Sequence, residues 1–308
     1  MPNISFERLT HNAARRGSAW RALLESLRPY QWLKNALVLV PLAAAHELDD
    51  VGLLSRALRA GVAFCFCASS GYLLNDVHDA AADRLHPHKR ERPIASGQLP
   101  ASYALALAPL LLVAGMAMAW SLGLRTLAAV TAYFVLMSAY TLRLKSVVLL
   151  DALALGSAYA LRVVAGGFAV GIRPSARLAG FCIFLFFSLA LVKRYAELAL
   201  LRLRDGPAAH ARSYLLEDQE FILALGVACG ALSVLVLALY LGSETAARLY
   251  RRADFIWLTC VLLLYWISHM WLMAHRGRMT DDPLVFALKD RISITLIVLM
   301  GASAWLAV

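Results

Sequence analysis

Residues 71–97 of the 308-residue chain read GYLLNDVHDAAADRLHPHKRERPIASG. The stretch starts as the end of an apolar helix and turns within a few residues into a strip of acceptor groups. Asn75, Asp79 and Asp83 recur at four-residue spacing, so they lie on one face of a helix. Mg²⁺ prefers hard oxygen ligands, usually one or two carboxylates together with water and phosphate oxygens. The pattern therefore predicts a helix end that holds Mg²⁺ on a diphosphate.

Basic residues follow this acidic strip within ten positions, at Lys89, Arg90 and Arg92. Metal-bound carboxylates beside several cations form the composition that a polyanionic leaving group requires. We expect the three basic side chains to bind leaving-group oxygens, and Asp76 to orient or share the metal. The alternative is a solvated helix end in which aspartates and arginines only pair with one another.

Neither the histidines nor the cysteines suggest a zinc site or disulfides. His78, His86 and His88 flank the strip, but their spacing around a proline suits no tetrahedral set, so we expect solvated loop histidines. The cysteines are five in number, lack CxxC spacing and lie in apolar segments, which predicts small core residues. They are Cys65, Cys67, Cys182, Cys229 and Cys260.

The whole chain is too apolar for a soluble domain. It is 61% hydrophobic and 16% charged, where soluble domains have about 45–50% apolar and about 25% charged residues. We predict an all-α integral membrane protein with one domain over 33–308, after a cytoplasmic arm 1–32 whose residues 18–32 form an interfacial helix. No signal-peptide pattern is recognisable. The nine predicted spans are 33–46, 56–75, 101–121, 125–142, 146–170, 177–199, 221–242, 254–274 and 291–308.

Lysine and arginine are distributed unevenly between the two sides of these spans. The N-terminal arm and alternate loops hold 21 of them, and the other side holds 8. The positive-inside rule therefore predicts a cytoplasmic N-terminus and an outside C-terminus in the plasma (inner) membrane. The net charge of +10 reflects mostly this bias. Because no basic domain or aromatic–basic platform is present, we expect no nucleic-acid partner.

The segment NDVHDAAADRLHPHKRERPIASG resembles the first aspartate-rich motif and following basic segment of the UbiA superfamily of intramembrane prenyltransferases. The resemblance implies nine transmembrane helices around a central cavity, open to the cytoplasm and laterally to lipid. It also implies a homotrimer. The nine spans and inside N-terminus predicted from hydropathy agree with the implied fold.

The second aspartate-rich motif of that superfamily is changed in this chain. Aromatic prenyltransferases of the superfamily carry DxxxD near the cytoplasmic end of the sixth span, where this chain reads SLALVKRYAELALLR. Lys193, Arg194 and Tyr195 stand there, and Glu197 is the sole acid of that segment. Since cations replace carboxylates, the site should bind a phosphate directly and not through a second metal.

One further cation, Arg162, lies inside a predicted span. An ionisable group at that depth usually faces a cavity or a charged partner, and an acid on another helix is the structural alternative. Tyr159 shares its helix face, whereas Asp151 is three turns away. Lys34 lies at the mouth of the first span, where an anion or a lipid headgroup would suit it equally.

The segments RPYQWLKN, SAYALRVVAGG, KRYAEL and ALKDR (287–291) resemble the decaprenyl-phosphate phosphoribosyltransferase branch of the superfamily. That resemblance implies phosphoribosyl diphosphate as the donor, polyprenyl (decaprenyl) phosphate as the acceptor, and a product used for cell-envelope arabinose donors. The metal set is then Asn75, Asp79 and Asp83, and the catalytic set Asp79, Asp83, Lys193 and Arg162. The substrate-binding set is Lys34, Asp76, Lys89, Arg90, Arg92, Tyr159, Arg162, Lys193, Arg194 and Tyr195.

Three other functions are alternatives to this interpretation. An aromatic prenyltransferase with a degenerate second motif would serve quinone or haem precursor synthesis. A lipid flippase or transporter also uses charges near the midplane, but such proteins often have internal repeats or broken helices, and no convincing repeat is found here. A non-catalytic scaffold would have no reason for the acidic strip.

Overall fold

The computed structural model describes residues 20–85, 89–202, 214–243, 246, 250, 252–279 and 282–307. The all-α prediction is confirmed for these residues. A 3₁₀ segment, Pro29–Leu39, directly precedes helix Val40–Ala44, and shorter 3₁₀ turns cover Lys89–Glu91 and Leu144–Ser146. The α-helices are α1 (Val40–Ala44), α2 (Val51–Leu85), α3 (Ala101–Leu122), α4 (Leu124–Leu142), α5 (Leu150–Val170), α6 (Ala176–Arg202), α7 (Asp218–Leu241), α8 (Ala253–His275), α9 (Pro283–Lys289) and α10 (Arg291–Leu306).

Seven of these helices are long and apolar enough to cross a membrane, so the chain is an integral membrane protein. They are α2 to α8, and they match seven of the nine predicted spans. Span 291–308 corresponds to α10, which has 16 residues. Span 33–46 corresponds to the 3₁₀ segment and α1, whose five residues are too few to cross. The count of nine stays a prediction.

Helix α2 is much longer than the span predicted within it. Its 35 residues extend about 52 Å, whereas the hydrocarbon core of a bilayer is about 30 Å thick. Asp50 caps its first turn by accepting a hydrogen bond from the Leu53 amide at 2.9 Å. The acidic strip therefore lies on a regular helix that continues beyond the apolar stretch 56–75.

The predicted interfacial helix over 18–32 is shorter in the structure. Helix is described over 20–27, and it ends where Arg28 adopts a left-handed φ of 54° before the 3₁₀ segment begins at Pro29. Ala22 on this helix is buried in a cluster with Leu73 and Ile94, whereas Trp20 on the opposite face is exposed. Residues 1–19 of the predicted arm lie outside the described residues.

Helix α5 occupies the centre of the bundle, and small residues allow its neighbours to approach closely. A Cβ at Gly166 would lie 2.0 Å from the carbonyl oxygen of Val38, so the 3₁₀ segment crosses α5 with backbone contact. Close crossings at glycine are common between membrane helices, because packing there relies on van der Waals contact. The crossing places Lys34 and Asn35 beside the polar centre of the bundle. All five cysteines are free, and all but Cys65 are buried, as expected for small core residues.

Candidate active site

A cavity of about 1020 Å³ lies between the 3₁₀ segment and helices α2, α4 and α6. Aromatic and apolar side chains such as Tyr72, Tyr133, Phe134 and Met137 form part of its wall. Among the described residues, six cationic side chains and three carboxylates line it. They are Arg28, Lys34, Lys89, Arg92, Lys145 and Lys193, with Asp79, Glu197 and Asp282. The excess of cations suits a ligand that carries several negative charges.

Two residues of the predicted metal set, Asn75 and Asp79, line this cavity on successive turns of α2. The Asp79 side chain is 26% exposed, and its Oδ2 lies 3.4 Å from Nζ of Lys145 on the facing wall. Its Oδ1 lies 3.0 Å from Nδ1 of His78. His78 is solvated as expected, but it belongs to α2 and not to a loop; His86 and His88 lie outside the described residues.

The other two aspartates of the strip do not line the cavity. Arg92 donates to Asp83 at 2.7 Å and to Asp76 at 3.2 Å, and Arg28 donates to Asp76 at 2.6 Å. Both carboxylates are buried, at 3% exposure. For Asp76 and Asp83, the arrangement matches the alternative in which acids and arginines pair. The pairs fasten the segment after α2 against the helix, and Arg28 is a participant that the sequence did not suggest.

The residues present fit a substrate-bound Mg²⁺ better than a metal held by protein alone. In the part of the chain that the structure describes, no three His, Cys, Asp or Glu side chains converge as a metal site. Mg²⁺ commonly uses one or two protein ligands and takes the rest from water and phosphate. Asn75 and Asp79, one turn apart and facing the cavity, meet that requirement.

Lys34 and Lys193 line the same cavity and share one carboxylate that the sequence did not single out. Asp282 Oδ2 accepts a hydrogen bond from Lys34 at 2.8 Å, and Nζ of Lys193 lies 3.7 Å from it. The Tyr159 hydroxyl donates to the same oxygen at 3.2 Å. Burial alone would raise the pKa of the Asp282 carboxyl, but the ammonium groups of Lys34 and Lys193 outweigh it and hold that pKa below its usual value.

Only the first residue of the KRY segment faces the cavity. Arg194 is fully buried, and its guanidinium is paired with Asp151 at 2.5 Å and also with Glu197. The Tyr195 hydroxyl lies 2.8 Å from Nδ1 of His275. The geometry therefore fits structural roles for Arg194 and Tyr195, because helical rotation turns them into the core. Neither is kept in the proposed ligand set.

Arg162 is buried beside the cavity but does not line it. Its guanidinium donates to Asn35 Oδ1 at 2.7 Å, to the Ala158 carbonyl at 2.6 Å and to the Tyr133 hydroxyl at 3.0 Å. None of the acids that the structure describes forms an ion pair with it, so the alternative of a hidden carboxylate partner finds no support. Arg162 positions Tyr133 of the cavity wall and adds a positive charge behind it. Arg90 is exposed and lies outside the cavity lining.

Residues 36–289 match the UbiA prenyltransferase family. The chain belongs to this family. The fold agrees: a structure titled as a UbiA homolog from Archaeoglobus fulgidus bound to DMAPP and Mg2+ superposes with a TM-score of 0.68. The superposition covers 92% of this chain and 98% of that one, at 15% sequence identity.

Three curated relatives are closer in sequence to this UbiA-family chain. The decaprenyl-phosphate phosphoribosyltransferase of Mycobacterium tuberculosis H37Rv is 35% identical, over 92% of each chain. The nodulation protein NoeC of Azorhizobium caulinodans is 34% identical, over 89% of each chain. An uncharacterised protein of Sinorhizobium fredii, y4nM, is 33% identical over 88% of this chain, which spans about half (52%) of that protein's length. The family match and the phosphoribosyltransferase relative together indicate that the chain is a transferase.

Proposed function

We propose that this protein transfers phosphoribose from phosphoribosyl diphosphate to a polyprenyl phosphate and releases diphosphate. The observation that carries the proposal is Lys193. It lines the cavity with Lys34 in the region where aromatic prenyltransferases of the superfamily have their second pair of carboxylates. A prenyl diphosphate meeting a neutral aromatic brings fewer anionic groups, and therefore needs fewer cations, than these two phosphorylated substrates. The relatives named decaprenyl-phosphate phosphoribosyltransferase, at 32–38% identity, support the same substrates.

The chemistry of the two substrates matches the charges of the cavity. Donor and acceptor together bring a diphosphate, a 5-phosphate and a lipid phosphate, and the six lining cations outnumber the three carboxylates. Asn75 and Asp79 would hold Mg²⁺ on the donor diphosphate, where the ion would neutralise charge on the leaving group. Arg92 and Lys89, on the same side of the cavity, would bind leaving-group oxygens. Asp83 and Asp76 act through Arg92, whose guanidinium they hold in place.

In the reaction, an oxygen of the lipid phosphate attacks the anomeric carbon of the donor. A new carbon–oxygen bond forms while the bond to the diphosphate breaks, so the configuration at that carbon inverts. The phosphate nucleophile is already ionised, and therefore no general base is required. Lys34 and Lys193 would position phosphate oxygens through charge-assisted hydrogen bonds. The electrostatic preorganisation of such a site is commonly the largest contribution to the rate.

The membrane arrangement belongs to the same proposal. The cavity would open to the cytoplasm, with the N-terminus on that side of the plasma membrane, because the basic residues of the predicted loops favour it. A water-soluble sugar diphosphate is available there. The product would supply arabinose donors for the cell envelope, and the protein would assemble as a homotrimer, as its resemblance to the superfamily implies.

A paired donor assay tests the proposal. The purified protein in nanodiscs is given radiolabelled phosphoribosyl diphosphate with decaprenyl phosphate, and separately a prenyl diphosphate with 4-hydroxybenzoate. We expect label in a lipid-extractable product from the first pair only, with equimolar diphosphate release and loss of both in EDTA. Turnover of the second pair instead would assign the chain to the aromatic prenyltransferases.

A further inference from the structure

Asp282 joins three elements that are far apart in the sequence. Its carboxylate contacts Lys34 on the 3₁₀ segment, Lys193 on α6 and Tyr159 on α5. The carboxylate is mostly buried, with 10% of its side chain exposed. The backbone holds it too, since Oδ1 accepts a hydrogen bond from the Leu284 amide at 3.2 Å, with Pro283 at the first position of α9. Asp282 is therefore held by the first turn of its own helix as well as by the lysines and the tyrosine that it contacts.

The two lysines need such an anion because they lie close together in a poorly hydrated place. Both ammonium groups approach the same oxygen of Asp282, at 2.8 and 3.7 Å, and their side chains are only 12% and 29% exposed. Two ammonium groups at that spacing repel each other, and an ammonium group loses hydration where it is buried. The carboxylate counteracts both effects. It keeps two cations side by side on the cavity wall.

A phosphate monoester is the ligand that this cluster suits. It presents several oxygens to several donors, and here two ammonium groups lie on the wall of a cavity that already faces the acidic strip. The lysines of the cluster repel a second metal ion, so this part of the cavity lining differs in charge from the part formed by Asn75 and Asp79. It would receive the phosphate that is not part of the diphosphate.

We propose that Asp282 is a positioning residue, which holds Lys34 and Lys193 as a receptor for a phosphate monoester group of one substrate. The proposal rests on the proposed function for the identity of that substrate. Either the lipid phosphate of the acceptor or the 5-phosphate of the donor has the required chemistry. In both cases Asp282 touches no reacting atom and acts through the two lysines.

The test is the kinetic comparison of Asp282→Asn with Asp290→Asn. Asparagine keeps the shape and the cap of α9 but removes the charge. Asp290 provides a matched control, because it caps α10 by accepting from the Ser293 amide at 2.7 Å and lies outside the cavity lining. Losing a charge-assisted contact costs about 1.5 kcal/mol or more, so we expect a rise of about tenfold in one KM. The expected change in kcat is less than threefold, and Asp290→Asn should change neither constant.

The KM values of the two substrates identify which phosphate group the lysine cluster binds. A raised KM for decaprenyl phosphate assigns the cluster to the lipid, and a raised KM for phosphoribosyl diphosphate assigns it to the donor 5-phosphate. An Asp282→Asn enzyme whose two KM values equal or fall below those of the control overturns the inference, as does a loss confined to kcat. A lowered KM would mean that the carboxylate competes with the phosphate.

A binding measurement separates this inference from the proposed function. Thermal stabilisation by decaprenyl phosphate and by ribose 5-phosphate is recorded for the wild type and both variants, without turnover. If the wild type transfers no phosphoribose but Asp282→Asn still weakens binding of one phosphate, the inference stands and the proposed function fails. If transfer occurs and binding is the same in all three proteins, the function stands and the inference fails.

Discussion

Replacing Asp79 with alanine isolates the proposed metal-holding carboxylate, because little of the fold depends on it. Its contacts are Lys145 at 3.4 Å and the neighbouring His78, which is 60% exposed. Exposed pairs of this kind contribute about 0–1 kcal/mol to stability. Removing one preorganised electrostatic group from an active site commonly costs 10²–10³ in rate, or about 2.7–4 kcal/mol. We therefore expect kcat/KM to fall by about 10²–10³ while the melting temperature changes little.

The assay is transfer of labelled phosphoribose to decaprenyl phosphate over a range of Mg²⁺ concentrations, with thermal unfolding in the same nanodiscs. Asp49→Ala is the matched control, since Asp49 is exposed and lies before the opposite end of α2. Asp83→Asn should behave differently from Asp79→Ala, because the Asp83 carboxylate is buried against Arg92 at 2.7 Å. We expect this variant to lose about 1–3 kcal/mol of stability and less than tenfold in rate. Near-wild-type turnover by Asp79→Ala, with an unchanged Mg²⁺ requirement, would refute the reasoning.

Three further changes test the rest of the site and the packing that supports it. Lys193→Ala should raise the KM of a phosphate substrate about tenfold without abolishing the Mg²⁺ requirement, because it removes a phosphate contact and leaves the metal side intact; an unchanged KM would contradict its place in the ligand set. Arg194→Met should destabilise the protein by about 3–5 kcal/mol in thermal or denaturant unfolding, since it leaves the fully buried Asp151 carboxylate without its cation. A variant that is as stable as the wild type and loses only substrate affinity would instead indicate that Arg194 binds substrate. Gly166→Ala should cost about 1–3 kcal/mol, because the new Cβ would meet a backbone carbonyl at 2.0 Å, whereas Gly301→Ala, with nothing within 4 Å, serves as its control and should be neutral; equal melting temperatures for the two variants would argue against that close crossing.

The sequence predicted the membrane helices well because each depends on a local property. Apolar length alone located seven spans, and their observed ends differ from the predicted ones by only a few residues at most places. The long α2 is the main exception. Hydropathy detects only the apolar part of a helix, so it does not show that α2 continues to Leu85. The four-residue spacing of Asn75, Asp79 and Asp83 is the signal that indicates this continuation.

The residues that line the cavity were only partly predictable, because residues that are adjacent in sequence can face different parts of the structure. Lys193 and Arg194 are adjacent and both cationic, yet about 100° of helical rotation directs one to the cavity and the other to Asp151 on α5. Asp79 and Asp83 share a helix face, but Arg92 captures only the second. Choosing between them requires the position of a partner on another element.

Asp282 was missed for the same reason. The order Asp-Asp-Pro at 281–283 does predict a helix start, because aspartate is a favoured cap and proline suits the first helical position. The signal says nothing about a lysine 248 residues earlier in the chain. Long-range ion pairs of this kind leave no trace in a single sequence.

Helix α2 spans two solvents. After the apolar stretch 56–75, its last ten residues add about 15 Å, and this end carries the acidic strip. Under the proposed function, the sugar phosphate would enter from water and keep its charges hydrated until the lining cations bind it, while the isoprenoid tail of the acceptor would stay among the acyl chains. The protein would then work at a phase boundary, where neither reactant has to leave the medium in which it is soluble.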